Sequence, residues 1–258
     1  MKNLIYQYYI PYEAGDADMG GVDMPEWAQA GSRSAQHYAT YVGAEYMLRH
    51  DRYFQHLDPR LDSIRIMYDE QFDEYDWILT MDLDMLVGTP ENIFDSVPEC
   101  DVAMVHELGV HTGGPSGWMR RVMDAPLYKR GIIAYGQHLF GKDWMFPKSV
   151  LYPEERFRYL NGGLQLWSKA GRKKAREIFT SVDDYVLHTR YTEQMYINIQ
   201  LSQKEFNVHE LDTYWDRMPY QWEGGNPDGR INHFLARTKF NMPKLEITLG
   251  RNDAWLSF

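Results

Sequence analysis

Tyr75-Asp76-Trp77-Ile78-Leu79-Thr80-Met81-Asp82-Leu83-Asp84 is the stretch whose reading decides the fold. Trp77 to Met81 is a short, largely apolar run, the pattern of a strand buried on both faces. It ends at two carboxylates flanking one residue, so both can lean toward the same side of the chain. Two carboxylates placed together repel unless a cation joins them. A hard divalent ion, Mn²⁺ or Mg²⁺, would bridge Asp82 and Asp84 to the oxygens of a diphosphate. The competing reading is a pair of acidic turn residues or helix caps. The apolar run before them leaves the acids no task inside the core, which favours the ion.

Outward from that strand, apolar runs and helical spacings alternate. Leu4 to Ile10 reads as a buried first strand stopped by Pro11, and Tyr12 to Gly31 as a loop. Ala35, Tyr38, Ala39, Val42 and Tyr46 fall at helical spacing, and so do Leu61, Ile64, Tyr68, Phe72 and Tyr75 in a helix beginning near Pro59. After the two aspartates, Asp101 to His106, Leu164 to Trp167 and Phe206 to Leu211 read as strands. Lys169 to Thr180 and Thr192 to Gln203 read as helices. A Gly-rich loop, Trp222 to Gly229, leads into a last strand, Ile231 to Phe234. Periodicity fades from 109 to 158, which is expected to be an inserted lobe of a single domain spanning 1–258. The alternation predicts an α/β fold with a mostly parallel, Rossmann-like sheet flanked by helices. Ligands of such sheets sit beyond the carboxyl ends of the strands, where Asp82 and Asp84 fall.

Composition excludes several function classes. The chain has 258 residues and a formal net charge of −10, which argues against nucleic-acid binding and against a basic face on an anionic membrane. The single cysteine, Cys100, rules out an intrachain disulfide and a zinc–thiolate cluster and suits a reducing compartment. Met1 to Ile10 does not read as a signal peptide, and no window approaches the roughly 18 apolar residues of a membrane span. The expected location is therefore cytoplasmic, the host cytoplasm if the source is viral.

His233 is the candidate third ligand. It stands in Arg230-Ile-Asn-His-Phe-Leu-Ala-Arg-Thr-Lys239, and an imidazole beside two carboxylates favours a first-row ion such as Mn²⁺. Arg237 and Lys239 read either as a solvated basic edge or as positive charge placed where a departing nucleoside diphosphate develops negative charge. Asn161-Gly162-Gly163 reads either as a tight turn or as a sugar contact. Glu193 and Gln194 read either as ordinary first-turn helix residues or as groups at a reacting sugar. Trp118, Trp144 and Met145 read either as core residues or as sugar-stacking platforms, which makes the lobe the candidate acceptor site.

Together these segments resemble the retaining GT-A glycosyltransferases of the glycogenin and bacterial lipooligosaccharide galactosyltransferase type, and the xyloglucan xylosyltransferases. Tyr38-Ala39 with Gly43 and Tyr46 is similar to the helix after the first nucleotide-binding loop, and Pro59-Arg60-Leu61 to the start of the next. Tyr75 to Asp84 resembles the strand with its Asp-x-Asp motif. Leu160-Asn-Gly-Gly-Leu164, Glu193-Gln-Met-Tyr-Ile-Asn198 and His233 to Lys239 resemble three further family segments. This sequence carries Glu193 for an aspartate, Ala236 for a glycine and Phe240 for a proline. The resemblance implies a metal-dependent, retaining transfer from a UDP-sugar to a saccharide or other hydroxyl acceptor. It implies Asp82, Asp84 and His233 on Mn²⁺ or Mg²⁺. It places Tyr9, Arg60, Asp82, Leu83, Asn161, Gly162 and Lys239 on the nucleotide sugar, and Glu193 and Gln194 at the catalytic centre.

Three rival readings differ in chemistry. An inverting transferase would need a general base, with Glu107 or Asp143 as candidates. A nucleotide-sugar hydrolase or pyrophosphorylase would carry a Gly-rich basic loop after the first strand, where Ile10-Pro-Tyr-Glu-Ala stands instead. A sugar- or nucleotide-binding module without catalysis would not need an intact Asp82, Asp84 and His233.

Overall fold

A computed structural model describes residues 1–11, 23–107, 135–153, 158–184, 192–203 and 205–246. Most of the expected lobe, including Trp118, lies outside them. The central sheet contains β1 (Asn3–Tyr8), β2 (Glu45–Arg49), β3 (Trp77–Met81), β5 (Val102–His106), β6 (Leu160–Ser168) and β7 (Val208–Leu211). Its order is β2-β1-β3-β6-β5-β7. Only β6 runs against the others, pairing antiparallel with both β3 and β5. A second, two-stranded sheet pairs β4 (Met85–Val87) with β8 (Ile231–His233).

The apolar runs of the strands are explained by cover on both faces. Leu4, Tyr6, Ile78, Val102 and Trp167 point to one face and pack with Ala175 of α2 (Lys169–Ile178) and with Met195, Tyr196 and Ile199 of α3 (Thr192–Gln200). Ile5, Leu79, Ala103 and Leu166 point to the other and pack with Ala35, Tyr38 and Ala39 of α1 (Glu26–Val42). Cys100 is buried with this second group. Among the described residues no helix is long and apolar enough to cross a membrane.

Four expectations are corrected. Helix α1 starts at Glu26, inside the segment read as a loop, because its buried face is built of Ala28, Ala30, Gly31 and Ser34, too small to register as apolar periodicity. It ends at Val42, where Gly43 takes a left-handed conformation (φ 69°), so Tyr46 lies on β2. The helix expected from Pro59 to Tyr75 is broken into 3-10 turns around Arg65–Tyr68. Asp69 breaks it by taking an extended conformation (φ −90°, ψ 109°) and accepting from Gln71 N. Strand β6 begins at Leu160, so Asn161, Gly162 and Gly163 lie within a strand and form no tight turn.

Candidate active site

The Asp82–Asp84 segment is held by backbone contacts on every side. Asp82 N donates to Gly163 O at 2.8 Å, carrying the β3–β6 pairing one residue past the strand end. Gln7, fully buried in β1, donates through Nε2 to Asp82 O at 3.2 Å. Phe234 N donates to Asp84 O at 2.7 Å, and in the β4–β8 ladder Met85 faces His233. Beneath lies α1: a Cβ built on Gly31 would stand 1.9 Å from Leu83 O, so only glycine lets the helix approach this closely.

These contacts bring three metal-ligating groups together. One donor atom each from Asp82, Asp84 and His233 lie within 4.8 Å of one another, a set able to hold a cation. His233 Nε2 is 3.2 Å from Asp84 Oδ1 and 4.0 Å from Asp82 Oδ2. Its Nδ1 is 2.9 Å from Asp216 Oδ1, the carboxylate partner that orients a ligating imidazole. Lys239 Nζ lies 2.7 Å from Asp84 Oδ2 and 4.7 Å over the Trp27 ring.

The buried His233 and the half-buried Lys239 therefore face three carboxylates, and the charges shift one another. Burial works against the charged form of Asp84, but Lys239 and His233 outweigh it and hold the carboxyl well below the usual range. Burial lowers and Asp84 and Asp216 raise His233, which ends well above the ordinary imidazole value. Enclosure first, then the Asp84 carboxylate, push Asp82 up to about 6. The Asp82 side chain nevertheless keeps 43% exposure, which argues for a smaller rise. Asp84 thus has a task of its own in the ion-pair cluster, contrary to the reading that the acids have none.

Beside this cluster lies a wall of amides. Gly163 N donates to Asn161 Oδ1 at 2.7 Å and Gly162 N to Gln194 Oε1 at 2.8 Å. Asn198 fixes the start of β6 by accepting from Leu160 N and donating to Leu160 O, both at 2.8 Å. Gln194 Nε2 and Asn161 Nδ2 reach Glu107 Oε2 at 2.6 and 3.4 Å. Glu193, next to Gln194, has a buried Oε2 with no hydrogen-bond partner among the described residues. Burial pushes its carboxyl up to about 8, with Asp82 adding to the rise and Arg60 opposing it.

Burial also pushes Glu107 up to about 7, against the Gln194 amide, which favours the charged form. A carboxyl raised on folding binds more protons native than unfolded. Its stabilising contribution is complete below the unfolded value and is lost as pH rises through about 7. Glu107→Gln is therefore expected to gain melting temperature over wild type at about pH 8 relative to about pH 5, read by scanning calorimetry. A difference independent of pH would contradict the shift.

No protein-family model and no curated protein matches the sequence. The fold does match solved structures. A glycosyltransferase involved in the glycosylation of the major capsid of PBCV-1 superposes with a TM-score of 0.52 at 12% identity, over 96% of this chain and 100% of that one. The galactosyltransferase LgtC, in complex with donor and acceptor sugar analogs, gives 0.51 at 11% identity, over 96% and 94%. The bifunctional glycosyltransferase WbbM gives 0.53 at 10% identity, over 99% of this chain and 50% of that one. The chain has the GT-A fold.

The remaining expected residues fall at different places on this GT-A frame. Tyr9 is buried with Ala28 and Leu83, and its hydroxyl donates to Asp23 O at 2.8 Å. Arg60 forms a paired contact with its neighbour Asp58, at 2.8 Å through Nε and 2.6 Å through an η nitrogen. Arg237 and Asp143 are exposed. Trp144 is half-buried. Its ring packs against Phe146 and over Gly136, and its Nε1 donates to Ser202 at 2.7 Å. Met145 is 45% exposed beside it.

Asp216 was not singled out from sequence, and no motif marks it. It arrives at His233 because the neighbouring backbone pairs with β8. Arg217 N donates to Ile231 O and His233 N to Arg217 O, each at 2.9 Å. Gly31 was likewise silent, since a glycine that permits close approach carries no periodic signal, and reading Gly163 as part of a turn or sugar contact gave no sign of its place against His233. A Cβ on Gly163 would stand 2.8 Å from His233 Cε1 and 2.9 Å from Asp82 Oδ2.

Proposed function

We propose that the chain is a glycosyltransferase that moves a sugar from a UDP-sugar to a saccharide or other hydroxyl acceptor, assisted by a divalent ion and with retention. The observation that carries this is the meeting of Asp82, Asp84 and His233 on a GT-A frame, with Lys239 against them. Two carboxylates and an imidazole suit Mn²⁺ better than Mg²⁺. The ion, when bound, supplies neutralising charge to the leaving diphosphate.

The protein's own groups do the rest. Lys239 exchanges its Asp84 contact for the diphosphate, whose negative charge grows as the bond to the sugar breaks. Arg60 adds a second cation, and Tyr9 and Leu83 line the nucleotide side. The acceptor hydroxyl forms its bond to the anomeric carbon from the leaving-group face. The phosphate oxygen takes the bonding electrons of the broken bond and the hydroxyl proton. Asn161 and Gly162 border the sugar, and Glu193, whose ionised form is favoured as positive charge develops beside it, steadies that charge with its unpartnered oxygen. Gln194 braces this wall through Gly162 N. An inverting route is less well served, because Asp143 is exposed and Glu107 Oε2 is already engaged by two amides.

Retention is the finest claim, and proton NMR of the new linkage tests it. The anomeric coupling of the product, recorded before free sugar anomerises, should match that of the donor. An inverted linkage would remove the retaining assignment and return the search to a general base.

A further inference from the structure

We propose that Glu107 is the positioning residue that sets the side-chain amides of Gln194 and Asn161 at the sugar side of the site. Its effect on turnover rests on the glycosyltransferase reading; the geometry does not. Glu107 directly follows β5, and its N donates to Tyr159 O at 2.9 Å, just past the bulge between Met104 and His106. That pairing turns the carboxylate, in a residue only 6% exposed, toward the Asn161 segment of β6.

A carboxamide can be placed two ways round, and the choice swaps a donor for an acceptor. Glu107 Oε2 accepts in either protonation state of the side chain, so it draws the amino ends of Gln194 (2.6 Å) and Asn161 (3.4 Å) toward itself. Their carbonyl ends are then left to accept from Gly162 N and Gly163 N. One carboxylate thus orders two amides and two successive backbone N–H groups. Gly163 in turn sits against Asp82 and His233, too close for any Cβ, so the same brace fixes the wall of the acid–histidine cluster. Glu193 precedes Gln194 in the same helical turn and inherits its placement.

Two variants test the brace. Glu107→Gln keeps an oxygen that can accept both amides. Glu107→Met fills the same volume and accepts neither. In the donor-free protein, NMR should find the side-chain amide protons of Gln194 and Asn161 protected from exchange in wild type and in Glu107→Gln. Protection should fall at least about tenfold in Glu107→Met. With UDP-glucose, UDP-galactose or UDP-xylose, whichever wild type turns over fastest, Glu107→Gln should keep kcat within about threefold. Glu107→Met should lose about 100-fold in kcat with KM changed by less than about threefold, the pattern of misplaced rather than missing groups. Amide exchange indifferent to methionine overturns the brace. A folded Glu107→Gln that binds UDP but has lost turnover also overturns it, because Glu107 would then handle a proton itself. If wild type turns over none of these donors while exchange responds to methionine as described, the brace stands and the transferase reading fails alone.

Discussion

Asp84→Asn is expected to cut turnover of a UDP-sugar by at least about 1,000-fold and to remove Mn²⁺-dependent binding of UDP, with the fold retained. Asp84 is buried, and it touches both His233, at 3.2 Å, and Lys239, at 2.7 Å. It cannot be deleted without consequence. Alanine would take the Asp84 carboxylate away from both His233 and Lys239, and breaking a buried pair costs about 3–5 kcal/mol. Lys239, at 17% side-chain exposure, softens that toward the lower end. Asparagine keeps the shape and an acceptor while removing the charge a divalent ion needs. Steady-state kinetics and calorimetry read the two effects, and circular dichroism checks the fold. A variant that keeps its turnover would take Asp84 out of the ion site.

Lys239→Ala is expected to lower kcat by about 100- to 1,000-fold while changing UDP-sugar binding far less. Its ammonium is held between the Asp84 carboxylate and the Trp27 ring face, 4.7 Å from the centroid. Both partners keep it at the cluster rather than in solvent. A charge placed against the leaving diphosphate does most when the diphosphate becomes more negative, and that happens in the transition state. The same variant relieves repulsion between the ammonium and a bound cation, so Mn²⁺ affinity should hold or rise. Unchanged turnover would reduce Lys239 to a structural partner of Asp84.

Those two side chains also show what could be read from sequence and what could not. The strand Trp77–Met81 and the acids after it were legible because a buried strand leaves a dense apolar run and a polar stop. The sheet class followed from alternation, and the pairing of His233 with the aspartates came with the family resemblance. Sheet position was not legible: β4 is three residues long, yet its register with β8 is what puts His233 beside Asp84. Helix α1 lost its first turns to small residues chosen for close approach, Gly31 above all. Asp216 and the Glu107 brace depend on contacts between residues 17 and 87 positions apart, which no local pattern encodes.

The central claim is that Asp82, Asp84 and His233 bind a divalent ion that recruits a nucleoside diphosphate. Titration calorimetry of UDP into the wild-type protein tests it most directly, once with Mn²⁺ and once with the ion removed by EDTA. The expected result is saturable binding with Mn²⁺ and a loss of affinity of at least about 100-fold without it, a difference of about 2.7 kcal/mol. Equal affinity in the two titrations would contradict the claim.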